Sequence, residues 1–142
     1  YSAGTDRRRA LADAPRLLRL AEPLQRQVWH YLLERVDRPI RTGAIARTIG
    51  CSREHLSRQF GAGGAPNLKR VIDLTRVACA ASLLLNPGYD AGTVARILRF
   101  ATASHLSATA RRIAGVSTRG LGALGPRGVL AHFAKGKTRS RM

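Results

Sequence analysis

The side chains with chemical reach in this chain are almost all arginines. Lysine occurs only at Lys69, Lys135 and Lys137; Lys and Arg together number 25 against 8 Asp and Glu, a formal charge of +17 in 142 residues. Groups suited to covalent or metal chemistry are present but poorly placed for it. The four histidines are scattered, and Cys51 and Cys79 stand alone without a CxxC or a Cys/His spacing suited to zinc. No paired carboxylates share a helix, and Gly61 to Gly64 lacks the flanking strand of a dinucleotide site and the Lys of a phosphate loop. The residues therefore point away from catalysis, and no metal or cofactor is expected. What remains is charge. A chain this basic repels itself and suits a polyanion, either nucleic acid or an anionic membrane surface.

Composition narrows the choice. Apolar residues make up 44 %, a globular rather than disordered composition, while aromatics at 5 % disfavour a single-strand binder built on stacking platforms. The longest apolar stretch, Val77 to Leu85, contains Ser82 and has about half the length of a bilayer-spanning helix, so no transmembrane segment is expected. The start lacks a basic segment followed by an apolar block, and two lone thiols read as reduced and packed. The expected setting is cytoplasmic, associated with the nucleoid. The charge is uneven: Asp90 is the last carboxylate, and the ten Arg and Lys from Ala91 to Met142 have no internal counter-charge.

The elements that must carry these cations read as helices. Residues 1–22 form a basic arm or linker, with Arg7, Arg8 and Arg9 consecutive and Pro15 interrupting. Leu24, Val28, Leu32 and Val36 recur at four-residue steps and predict an amphipathic helix ending before Pro39. Thr42 can cap a short helix holding Ile45, Ala46 and Ile49, which Gly50 stops. Ser52 then caps Arg53 to Phe60, with Leu56 and Phe60 facing inward. A long helix of about 18 residues, roughly 27 Å at 1.5 Å per residue, follows from about Leu68 to Leu85. Asp90 caps a helix with Val94, Ala95 and Leu98, and Ser104 to Ala114 reads as one more, closed by Gly115. Strand alternation is absent, so the fold class is all-α.

A repeat refines this architecture. Ala46-Arg47 followed by His55-Leu56-Ser57 recurs, 49 to 50 residues on, as Ala95-Arg96 followed by His105-Leu106-Ser107. A small Ala where two helices cross, then an inward Leu, describes a duplicated helix-turn-helix. The expected organisation is an arm over 1–22, a first helix-turn-helix subdomain over 23–67, a connecting helix over 68–86, a second subdomain over 87–122 and a basic tail over 123–142.

At these residues the sequence resembles the DNA-binding domain of the AraC/XylS family of bacterial transcription regulators. Ile45-Ala46, Ile49-Gly50, Ser52, His55-Leu56-Ser57-Arg58 and Phe60 fall on the family pattern, as do Arg76, Ala80 and Leu83-Leu84 in the connecting helix. The second motif supplies Val94-Ala95, Leu98, Phe100, Leu106-Ser107 and Gly115-Val116-Ser117. Arg99 departs from the pattern by replacing a turn glycine, and Ala110 and Ala114 stand where large aromatics usually pack, which predicts a thinner, less stable second core.

The resemblance implies a sequence-specific double-stranded DNA binder acting in transcription, with RNA polymerase as a further partner and any sensor or receiver domain upstream of Tyr1. Helix 53–60 then enters the major groove, with Arg53, Glu54, Ser57 and Arg58 facing base edges. Arg58 suits guanine O6 and N7, and Glu54 suits a cytosine amino group. In the second motif Ala103, Ser104, Ser107 and Ala108 face the groove, of which Ser104 and Ser107 can hydrogen-bond. Ser52, His55, Arg99, Arg111 and Arg112 become phosphate contacts, although His55 reads equally as a packing histidine. The first motif would specify and the second mainly anchor, the two lying on one face of the duplex about one turn apart. The tail cations Lys135, Lys137, Arg139 and Arg141, like Arg7 to Arg9, read either as phosphate contacts or as solvated charge. The competing reading is a largely non-specific architectural or nucleoid-type binder, favoured by the weak second motif and the basic tail.

Overall fold

Short polar caps and left-handed glycines divide the chain into helices. The computed structural model describes residues 11–12, 14–35, 40–61, 63 and 65–139, the side chains of 136–139 excepted; Arg7 to Arg9, Val36, the approach to Pro39 and Arg141, with the side chains of Lys137 and Arg139, lie outside them. Within the described residues all regular structure is helical: α1 Ala14–Leu17, α2 Pro23–Glu34, α3 Thr42–Ile49, α4 Arg53–Phe60, α5 Leu68–Leu83, α6 Ala91–Ile97, α7 Ala103–Ala114 and α8 Thr118–Arg139.

The punctuation follows local chemistry. Ser52 Oγ accepts from the His55 amide at 3.1 Å, Asn67 Oδ1 from Arg70 at 2.9 Å, Asp90 Oδ1 from Thr93 at 2.8 Å and Thr102 Oγ1 from His105 at 3.0 Å. Gly50, at φ 88°, ends α3, and Gly115, at φ 74°, ends α7. Two expected starts shift by a residue. Arg41 rather than Thr42 precedes α3 and makes no side-chain cap, and α7 begins at Ala103 under Thr102 rather than at Ser104.

The two motifs share one continuous core around α5, whose residues are buried along most of its length. Ala46 and Ala95 are both buried at the expected crossings, and Leu56 and Leu106 are fully enclosed. Two segments read as peripheral contribute to this core. Leu11, Ala14, Leu18 and Leu20 of the supposed arm are buried. The supposed tail is a helix: α8 breaks at Gly125, φ 70°, restarts at Pro126, and buries Val129, Leu130 and Phe133 beside Leu121. The second part of α8 alters the expectation of a thin second core. Ala110 and Ala114 are buried without an aromatic of their own, but α8 packs against both α5 and α7 and brings Phe133 into the same cluster.

Candidate nucleic-acid interface

The first motif presents a polar helix on an apolar base. In α4 Leu56 and Phe60 are fully buried, which leaves Arg53, Glu54, His55, Ser57, Arg58 and Gln59 exposed. His55 is therefore not a packing histidine. The far end of α4 is tied down by a residue that the sequence pattern passed over. Gln25 of α2 is fully buried and its Nε2 donates to the carbonyls of Phe60 at 2.6 Å and Gln59 at 3.3 Å. Its Oε1 accepts from the Glu22 amide at 3.0 Å. Terminal carbonyls of a helix lack intrahelical donors, so Gln25 both satisfies them and fixes the angle at which α4 leaves the core.

The second motif is held from beneath by arginine. Arg76 of α5 donates to the Leu98 carbonyl at 2.8 Å, and its guanidinium lies 3.8 Å from the centroid of the Phe100 ring. Burial pushes the Arg76 pKa down, with the nearby Asp73 carboxylate opposing that shift; a guanidinium is too basic to lose its proton in a folded protein, and the charged group holds the α6–α7 turn. Phe100 in turn meets His105 edge-on, with ring centroids 5.3 Å apart. Arg99 occupies that turn at φ 61°, the left-handed conformation that the missing glycine would have adopted without strain, and its side chain is exposed.

On α7, Ala103, Ser104, His105, Ala108, Arg111 and Arg112 are exposed and Ser107 is half-buried. One predicted residue from each motif, Ser57 and Arg112, lines a common groove. Ser57 of α4, the cap residue Asn67, Lys69, Arg70 and Asp73 of α5, and Arg112 of α7 line this open groove of about 410 Å³. Arg112 donates across it to Asp73 Oδ2 at 2.9 Å. Lys69, Arg70 and Asp73 had no role in the sequence reading, because only the crossing of α5 beneath both motifs places them there. Among the described residues no group of three or more His, Cys, Asp or Glu could hold a metal ion.

A family model for a helix-turn-helix domain matches residues 45–121, more than half of the chain. The chain belongs to the AraC-type helix-turn-helix family. A structurally similar protein is a transcriptional regulator with an AraC-type DNA-binding domain from Chromobacterium violaceum, whose crystal structure superposes with a TM-score of 0.65 at 22 % identity, over 72 % of this chain and 91 % of that one. That likeness supports the fold. No functionally curated protein matches the chain. Membership in the AraC-type family carries DNA binding in transcription regulation, with double-stranded DNA as the ligand, and the family is one of regulators rather than enzymes. No helix among the described residues is long and apolar enough to cross a membrane.

Proposed function

We propose that this AraC-type domain reads duplex DNA sequence chiefly through α4, while its second motif chiefly anchors. The observation that carries the proposal is the contrast between the two exposed helix faces. The α4 face offers two guanidiniums, a carboxylate and a hydroxyl from Arg53, Arg58, Glu54 and Ser57. The α7 face offers Ala103, Ala108 and Ser104, with Ser107 half-buried. Long donors can reach base edges in the major groove, and short side chains reach little beyond a thymine methyl. Ser52 and His55 at the start of α4, with Arg99, Arg111 and Arg112, are assigned to phosphates, which fix register without reading sequence.

Helix α5, at 16 residues, spans roughly 24 Å, which suits two readers on one face of a duplex. Contact with RNA polymerase and control by a sensor or receiver module belong to the same reading. The uncompensated cations after Asp90 favour a second reading, a mainly electrostatic binder with little sequence preference. Sites selected from a random DNA pool, followed by competition against scrambled duplex, decide between them. Arg58→Ala should weaken the selected site by about 1–3 kcal/mol and relax preference at one base pair, whereas Arg111→Ala should weaken all sequences alike and flatten the salt dependence. If no selected sequence outcompetes bulk DNA by about tenfold at physiological salt, the electrostatic reading prevails.

A further inference from the structure

The groove between the two motifs contains a contradiction. It lies between Ser57 of the proposed reader and Arg112 of the proposed anchor, with Lys69 and Arg70 beside it, yet it also holds a carboxylate, Asp73. Where duplex DNA must approach, a lone carboxylate repels phosphate. Asp73 is largely sheltered, its side chain 16 % exposed, while its partner Arg112 remains 56 % exposed. The two are therefore unequal in freedom. Asp73 is also attracted to the half-buried Arg76, which is committed to the Leu98 carbonyl and the Phe100 ring. The Arg112 arm, the more exposed of the two, is the member that can move.

We propose that this groove seats a backbone phosphate of duplex DNA and that Asp73 competes with the phosphate for Arg112. In free protein Arg112 is bound to Asp73. In the complex Arg112 turns to the phosphate, and the carboxylate it leaves must be screened by a solvent cation. Lys69 needs no such exchange and contributes its full charge. Asp73 thereby withholds one cation from indiscriminate binding and raises the weight of base contacts in total affinity, a specificity device built on repulsion.

The proposal rests on the DNA-binding reading, and its test separates the two. The full chain is titrated with a fluorescent random-sequence duplex of about 30 base pairs, by anisotropy, at salt concentrations from about 50 to 250 mM KCl. Failure of the wild-type chain to bind would sink the DNA-binding reading itself. With wild-type binding in hand, Asp73→Asn should tighten the random duplex by about fivefold at low salt and steepen the log K against log salt slope by about 0.9, since Arg112 then releases a counterion with no cation taken up. The added slope should vanish in Asp73→Asn/Arg112→Ala, where removal of the repelling carboxylate leaves only a small gain at low salt. Arg112→Ala alone should weaken binding with nearly unchanged slope, whereas Lys69→Ala should lower the slope by about 0.9. Because Arg112→Ala and Lys69→Ala leave the Asp73–Arg76 attraction in place, they remain informative if Asp73→Asn folds poorly. Equal slope changes for Arg112→Ala and Lys69→Ala, or a steeper slope for Asp73→Asn that persists without Arg112, would overturn the proposal.

Discussion

Replacing Phe133 by Ala tests whether the last helix is a structural member of the domain or a dispensable basic tail. Phe133 is 1 % exposed and sits in the common core, eight residues after the break at Gly125. Truncating a buried Phe costs about 3–5 kcal/mol, through lost transfer free energy and the cavity left behind. The Arg70 guanidinium, 4.8 Å from the ring centroid, loses its stacking surface as well, which keeps the expected cost at about 4 kcal/mol. A chain of 142 residues has an unfolding entropy of about 0.3 kcal/mol/K, at about 2.1 cal/mol/K per residue. The melting temperature should therefore fall by about 13 °C. Thermal unfolding followed by far-ultraviolet circular dichroism measures it, with exposed Lys135→Ala in the same helix as the control, expected within about 2 °C of wild type. A Phe133→Ala variant melting within about 3 °C of wild type would refute the packing argument.

Three further changes probe the caps, the turn and the buried amide. Arg99→Gly relieves a left-handed backbone and should raise stability by about 1 kcal/mol while flattening the salt slope of duplex binding by about 0.9; a lower melting temperature would contradict the strain argument. The Asp90 carboxylate is held below its usual range, mainly by the Thr93 amide it accepts from, with the Thr93 side chain adding to the effect. Its contribution is thus present above the unfolded value of about 3.9 and is lost as pH falls through the lower folded value. Asp90→Asn keeps an acceptor without the titration, so its urea midpoint should converge on that of wild type as pH drops below about 4. Gln25→Ala removes the donor to the Phe60 and Gln59 carbonyls and should cost about 1–3 kcal/mol in urea unfolding.

The parts legible in the sequence are those whose signals are local. Ser52 and Asp90 cap because an acceptor three residues before an amide can fold back on it, and Gly50 and Gly115 end helices because left-handed backbone favours glycine. The exposed set on α4 follows from Leu56 and Phe60 facing the same way. Arg99 in a left-handed turn is legible for the same reason, as the residue standing where a glycine belongs. The last helix hid behind its glycines and proline. Gly120, Gly122, Gly125 and Gly128 with Pro126 read as breakers. Yet a Cβ at Gly122 would lie 3.0 Å from the Leu84 carbonyl oxygen, so that glycine permits close packing against the end of the connecting helix. Gln25 and Asp73 were illegible, and Arg76 was placed by the family pattern without a partner, because their partners stand 35, 39 and 22 residues away, and no local pattern encodes such a pairing.

The placement of Arg70 links the two findings that the sequence did not announce. Its guanidinium lies over Phe133 while its chain lines the groove between the motifs, so the seating of α8 helps set the position of a cation on the proposed DNA face. The charge of the C-terminal third therefore cannot be judged by counting alone. Part of it belongs to a helix whose apolar side closes the core beneath the second motif, and another part, Arg112, is paired with Asp73 in the groove. On this argument a net charge of +17 overstates the drive toward arbitrary DNA, because binding strength depends on which cations are free to release counterions. Under the proposed scheme Arg111 and Lys69 would release them outright and Arg112 only against Asp73, so neutralising Asp73 should raise affinity for arbitrary duplex more than for a selected site.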